Sequence, residues 1–220
     1  MSGHGILNYA NNVNAPPPAN GYATIGGTYP PPPRPRITAS ISSASSPPYY
    51  GNEDMSRMAA DLINYHFPPP RDPYGQPLLG LSSAGTLFPR LELFIATVLH
   101  RSRLVTSVSA YFLALLYITR LKRRVKDKLA SHQQPCGHAL FITAYQLAFS
   151  TLFDDTYKVG QWREICQELF TVAELNDLTR RFCRHIDWSL NATPERLGEF
   201  QRHVLRTYEE REEKRGRREW

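Results

Sequence analysis

Cysteine is scarce in this sequence, and its spacing fits neither of its usual framework roles. Cys136, Cys166 and Cys183 are the only three among 220 residues. An odd number with no CxxC pair argues against a disulfide framework and against a zinc site, and suits a reducing compartment. Cys136 with His138 and Cys183 with His185 are close pairs, but two isolated pairs lack metal-site spacing. Long apolar runs are missing too. The best membrane candidate, residues 104–118, is 15 residues long and contains Thr106, Ser107 and Ser109, short of the roughly 20 apolar residues that a bilayer core demands. No charged start is followed by an apolar segment, so no secretory signal is expected. Strand-type alternation and repeats of fixed period are absent, which leaves an all-α fold class. Charge is nearly absent from residues 1–50, where Arg34 and Arg36 stand alone among 10 of the chain's 18 prolines. Such a stretch buries no core and is expected to be a disordered arm, extending to residue 53, with polyproline II at residues 16–18 and 30–33.

Catalytic patterns are also lacking. Gly26-Gly27 precedes no strand-to-helix turn, so it is not a phosphate cradle. Asp154 and Asp155 are neighbours, and adjacent acids diverge on a helix rather than converge as an acid/base couple. The expectation is therefore a protein that is not an enzyme, with no catalytic residues, cofactor, metal or small-molecule substrate.

What the chain has in quantity is helical periodicity. Met58, Leu62, Ile63 and Tyr65 suggest a short amphipathic helix stopped by the prolines at 68–70, and a Pro- and Gly-rich linker follows to residue 86. Leu91, Phe94, Ile95, Val98 and Leu99 fall at helical spacing after Pro89. Residues 105–122 are apolar nearly all round, as expected of a central helix surrounded by others. Residues 139–153 predict a second buried helix in which Ala144 and Ala148 allow close approach. Trp162, Ile165, Cys166 and Leu169 predict a short helix. Thr171 and Glu174 form a capping box opening a helix with Leu175, Leu178, Phe182 and Ile186 as its core stripe. Thr193-Pro194-Glu195 opens the last helix, and its charged end, residues 209–220, is expected to be a solvated or frayed tail.

The net charge of +6 concentrates in one basic patch of Arg120, Lys122, Arg123, Arg124 and Lys126, with Lys128 beyond. A nucleic-acid reading competes here with cations that complement a helix's carbonyl pole. The second is preferred, since no base-stacking aromatic platform accompanies the patch.

Four segments then carry a resemblance. RLVTSVSAYFLALLYITRLK at 103–122 looks like the start of the cyclin box in fungal PCL-type, phosphate-signalling cyclins. ALFITAYQLAFSTLFDD at 139–155 is similar to that family's small-residue helix ending in paired acids, with Lys158 and Trp162 near the family's Lys and Trp. AELNDLTRRF at 173–182 and HIDWSL at 185–190 resemble its Glu-Ile-Asn-x-Leu helix and the Leu-Asp-Trp ending of that helix. The resemblance covers roughly residues 54–208. It implies a single five-helix cyclin box with flanking helices, located in nucleus or cytoplasm, whose partner is a cyclin-dependent protein kinase. It also implies a contact surface of Thr151, Leu152, Asp155, Lys158, Thr179, Cys183 and Trp188, although Leu152, Cys183 and Trp188 are equally readable as core. The sequence departs from the family at three points: Thr151 stands where a kinase-contacting Lys is usual, Thr179 where its partner Glu is usual, and no Gly occurs near Gln167. A matched change on the kinase and a box that binds without activating remain alternatives, as does an adaptor of the same fold, transcription-associated or bound to nucleic acid. Ser46-Pro47 fits the minimal pattern of proline-directed kinases.

Overall fold

Apolar spacing and capping chemistry set where the helices begin and end. The computed structural model describes residues 49–71, 74, 80, 82, 85–102, 108–125 and 136–217; among them the chain makes seven helices and no strand, so the protein is all-α. Residues 1–48 with Ser46, the remainder of the linker, 103–107 with the expected start of the central helix, 126–135 with Lys126 and Lys128, and 218–220 lie outside the described residues.

Helix α1 (Glu53–His66) begins with two acids in its first turn, which favour the positive pole of a helix, and ends before the prolines. Helix α2 (Leu91–Arg101) starts two residues after Pro89, because Arg90 is still extended with ψ 140°. Helix α3 (Val108–Val125) runs three residues beyond the expected end, so that Lys122, Arg123 and Arg124 occupy its last turn. There they face the carbonyl pole, where cations are stabilising. Helix α4 (Gly137–Leu152) is buried on almost every face.

The next boundary corrects the sequence reading. Helix α5 (Val159–Ile165) stops at Ile165, and Cys166 and Leu169 are buried from a turn rather than from a helix. Gln167 and Glu168 close that turn, each at φ 58°. The Gln167 N–H donates to Glu164 O at 3.1 Å and the Glu168 N–H to Arg163 O at 2.9 Å, the two bonds of a Schellman ending. Helix α6 (Val172–His185) opens with the expected capping box. Thr171 Oγ1 accepts from the Glu174 N–H at 3.2 Å, and Glu174 Oε2 accepts from the Thr171 N–H at 2.7 Å. Helix α7 (Pro194–Gly216) has Thr193 as its cap and runs through most of the charged end expected to be solvated or frayed, whose described residues are exposed or half-buried. Glu212–Arg215 and Glu213–Arg217 pairs line its last turns, and Arg215 reaches Asp61 of α1 at 3.0 Å.

The core is built around α3 and α4, which pack on each other more extensively than any other pair; α3 also touches α1, α6 and α7, and α4 touches α1, α2 and α6. On α3 every residue from 111 to 118 is buried. Ala144 and Ala148 are fully buried on α4, as close helix approach requires. A Cβ on Gly137 would lie 2.9 Å from Leu91 Cδ2 and 3.2 Å from Ile63 Cγ2, so glycine lets the start of α4 sit against α1 and α2. Each large apolar side chain buried here contributes about 1.5–3 kcal/mol. Polar ties fix the register of the bundle: Tyr111 Oη donates to Met55 O at 2.7 Å, and Arg101 donates to Glu164 O at 2.8 Å. Among the described residues no helix is long and apolar enough to cross a membrane.

Candidate docking surface

The end of α6 repeats the geometry found at the end of α5. Asp187 and Trp188 follow the helix at φ 52° and 54°, a left-handed conformation that costs an L-residue about 1–2 kcal/mol. A second Schellman closure forms there without glycine, with the Asp187 N–H donating to Arg184 O at 3.2 Å and the Trp188 N–H to Cys183 O at 2.8 Å.

Long-range contacts from α3 hold the strained turn in place. Arg120 donates to Ser189 O at 2.7 Å and to Asn191 O at 2.8 Å. Its guanidinium lies 5.7 Å from the centre of the Tyr117 ring. One helical turn later, Arg124 pairs with Asp187 at 2.6 Å. The Tyr117 hydroxyl donates to Leu190 O at 2.7 Å and lies 3.3 Å from Thr151 Oγ1. Burial pushes the Tyr117 pKa up, against the opposing pull of Thr151 and Arg120, and the neighbouring Cys183 pushes it up further. The hydroxyl therefore stays protonated and remains a donor.

This clamp presents a large apolar side chain to solvent. Trp188 is 64% exposed although it is large and apolar, and Leu152 at the end of α4 is 41% exposed. An exposed tryptophan on a backbone turn tied down by hydrogen bonds suits association, where few aromatic anchors carry most of the energy.

The sequence-derived contact residues divide into four groups. Thr151, Leu152 and Trp188 are exposed, with Thr151 reaching the Trp188 turn through Tyr117. Thr179 is half-buried on α6. Cys183 is 1% exposed, so it belongs to the core beneath the turn and not to the contact surface, and burial raises its thiol pKa. Asp155 and Lys158 are exposed on the connection between α4 and α5, whose aromatics Phe153 and Tyr157 pack on Phe149 at 4.8 and 5.4 Å. No hydrogen bond or ion pair among the described residues ties Asp155 or Lys158 to Trp188. Both threonine hydroxyls donate into their own helices, to Leu147 O and Leu175 O, each at 2.8 Å. Their positions are accordingly neutral.

The basic patch is also not one surface. Successive helical residues turn by about 100°, so Arg120 and Arg124 share one face, which the turn occupies, while Lys122 and Arg123 point elsewhere and line a cleft between α1, α3 and α7. Sequence reasoning missed Tyr117, which reads as one more core aromatic, and the role of the Arg120/Arg124 spacing. Among the described residues no group of three or more His, Cys, Asp or Glu could hold a metal ion. Cys136 Sγ and His138 Nδ1 do meet, at 3.3 Å, as a local pair.

Comparison with protein-family models, with curated proteins and with solved structures returns no match.

Proposed function

We propose that the chain is a regulatory subunit that docks on a protein kinase of the cyclin-dependent class, with α2 to α6 acting as a single cyclin-type box and α1 and α7 as its flanking helices. The observation that carries this reading is Trp188, exposed on a turn whose strained backbone is fixed by Arg120, Arg124 and Tyr117. A segment held so firmly at a conformational cost is suited to partner recognition, because ordering has been completed before binding. Two further features support it. The four segments of the resemblance fall in order on α3, α4, α6 and this turn. Gln167 adopts a positive φ near where the family carries a glycine.

The subunit would act by pressing on the kinase helix whose glutamate pairs with the ATP-binding lysine, shifting the kinase population toward its active arrangement without supplying a catalytic group. Thr151 and Thr179 then define the partner. Their internally bonded hydroxyls match a kinase surface that offers neutral groups where other members of the family meet Lys and Glu, since an unpaired buried charge would cost about 2–5 kcal/mol.

The test is affinity capture from extract of the native cells with the wild-type chain and with a W188A/L152A variant, followed by mass spectrometry and a phosphorylation assay on the captured complex. A cyclin-dependent kinase is expected with the wild type and to be depleted about tenfold or more with the variant. Recovery of no kinase, or of equal amounts with both, overturns the proposal. A kinase recovered without increased phosphorylation reduces it to docking alone.

A further inference from the structure

The second face of the basic patch has no role in that reading. Lys122 and Arg123 meet Arg211 and His203 of α7 and the aromatic Tyr65 of α1 around a cleft of about 400 Å³, within the usual range for small-ligand pockets. Its floor is apolar, formed by Met58, Leu62, Phe200 and Val204. Three features make it more than a gap between helices.

First, its cations lack carboxylate partners among the described residues. Arg57, Arg90, Arg124, Arg163, Arg181, Arg215 and Arg217 each pair with a carboxylate. Among the described residues Lys122, Arg123 and Arg211 have no carboxylate within 4.0 Å. The cleft's one acid, Asp61, is engaged by Arg215 at 3.0 Å. Second, the cations converge. His66, half-buried in the same cleft, has its pKa lowered first by burial and then by Lys122, Arg211 and Arg123 together, so all three fields reach one point. Third, two of them rest on aromatic faces, Arg211 at 5.0 Å from the Tyr65 ring centre and Lys122 at 5.4 Å from that of Phe67. Tyr65 is 70% exposed, leaving ring surface at the rim for a flat group to stack on.

Like charges gathered without counter-charge destabilise a fold unless an anion joins them. We infer that the cleft between α1, α3 and α7 is a binding site for a small phosphorylated organic ligand, its phosphates held by Lys122, Arg123 and Arg211 and its planar body against Tyr65 and the apolar floor. A nucleoside phosphate is the simplest compound with both parts. A nucleic-acid strand is the weaker occupant, because the patch is split between two faces of α3 and offers no continuous basic stripe for a backbone to follow. The site lies on a different face of α3 from the docking surface around Trp188.

Isothermal titration of the purified full-length chain with ADP, adenosine, tripolyphosphate and single-stranded oligonucleotides tests this. ADP is expected to bind, and adenosine to bind about tenfold or more weakly, for want of the charge-assisted bonds. A K122Q/R211Q variant is expected to lose about tenfold or more in ADP affinity. An R206Q variant, with a charge removed from an exposed position outside the cleft, is expected to match the wild type and so to separate local contacts from net charge. Y65A is expected to weaken ADP but not tripolyphosphate. Circular dichroism of each variant confirms that it is folded, and Y65A provides the decision should K122Q/R211Q unfold. No ADP binding at about 1 mM, unchanged affinity in folded K122Q/R211Q, tripolyphosphate binding as tight as ADP, or affinity that grows with oligonucleotide length would overturn the proposal.

Discussion

Gln167 and Asp187 occupy the same structural position, the residue after the cap in a Schellman ending, and neither is glycine. The two differ in what they gain for it. Asp187 carries the ion pair to Arg124 and precedes Trp188, so its strain belongs to the docking turn. Gln167 is exposed and, among the described residues, its side chain makes no hydrogen bond or ion pair. Replacing Gln167 with Gly removes a left-handed penalty of about 1–2 kcal/mol and adds a chain-entropy cost of about 0.5–1 kcal/mol. Q167G is therefore expected to stabilise the protein by about 0.5–1 kcal/mol, and thermal unfolding should show a rise of about 2 °C for a chain of this size. A lower melting temperature would mean that the turn draws stability from Gln167 in some other way.

At the scale of elements, α5 is the least self-sufficient. Seven residues cannot sustain a helix by propensity alone, and it is held by Trp162, which is fully buried. The indole packs edge-on against Tyr145, Phe149 and Tyr157 at 5.8, 5.7 and 5.4 Å. W162A is expected to cost about 3–5 kcal/mol, the usual range for deleting a buried aromatic, read from urea unfolding. A loss below about 1 kcal/mol would show that α5 is anchored by Arg101 instead. Element types were largely legible in the sequence. Capping at Thr171 and Thr193, the all-round apolar α3 and the alanines of α4 are local signals, each sufficient alone. The end of α5 was not legible, because Cys166 and Leu169 keep helical spacing while the backbone leaves the helix, and a buried turn and a buried helix place apolar residues alike. The charged end of α7 is exposed or half-buried, as a solvated extension requires, but its helicity was not legible for the opposite reason. Its support includes Asp61, some 150 residues away in sequence, and no local pattern announces such a partner.

For the molecule as a whole, two histidines set the response to acid. His138 stacks on Phe88 at 4.7 Å and lies 2.8 Å from Pro89 O through Nε2. That leaves Nδ1 to accept from the Cys136 thiol at 3.3 Å, so the geometry fits a neutral ring, and burial lowers its pKa. His66 is lowered by burial and by the cations of the cleft. For both, the folded pKa lies below the unfolded value of 6.5, so the unfolded chain binds more protons in the interval between them. Stability is thus fully present above 6.5 and is lost as pH falls through that interval. Urea midpoints are expected to fall between about pH 7.5 and about pH 5, with the His138 resonance in NMR titrating below 6.5; a flat profile would refute this. The candidate site was only partly legible in the sequence. Trp188, Leu152 and Thr151 were singled out only through the resemblance to the cyclin box, whereas the Tyr117 and Arg120 clamp and the α1–α3–α7 cleft join positions tens of residues apart.

The enclosure of α3 has a consequence for how the molecule breathes. Its central amides lie beneath α1, α4, α6 and α7 at once, so no single neighbour can lift away and admit solvent to all of them. In deuterium exchange these amides should be the last to be labelled, at a rate set by opening of the entire bundle, while those of α5 and the end of α7 exchange through local openings well before.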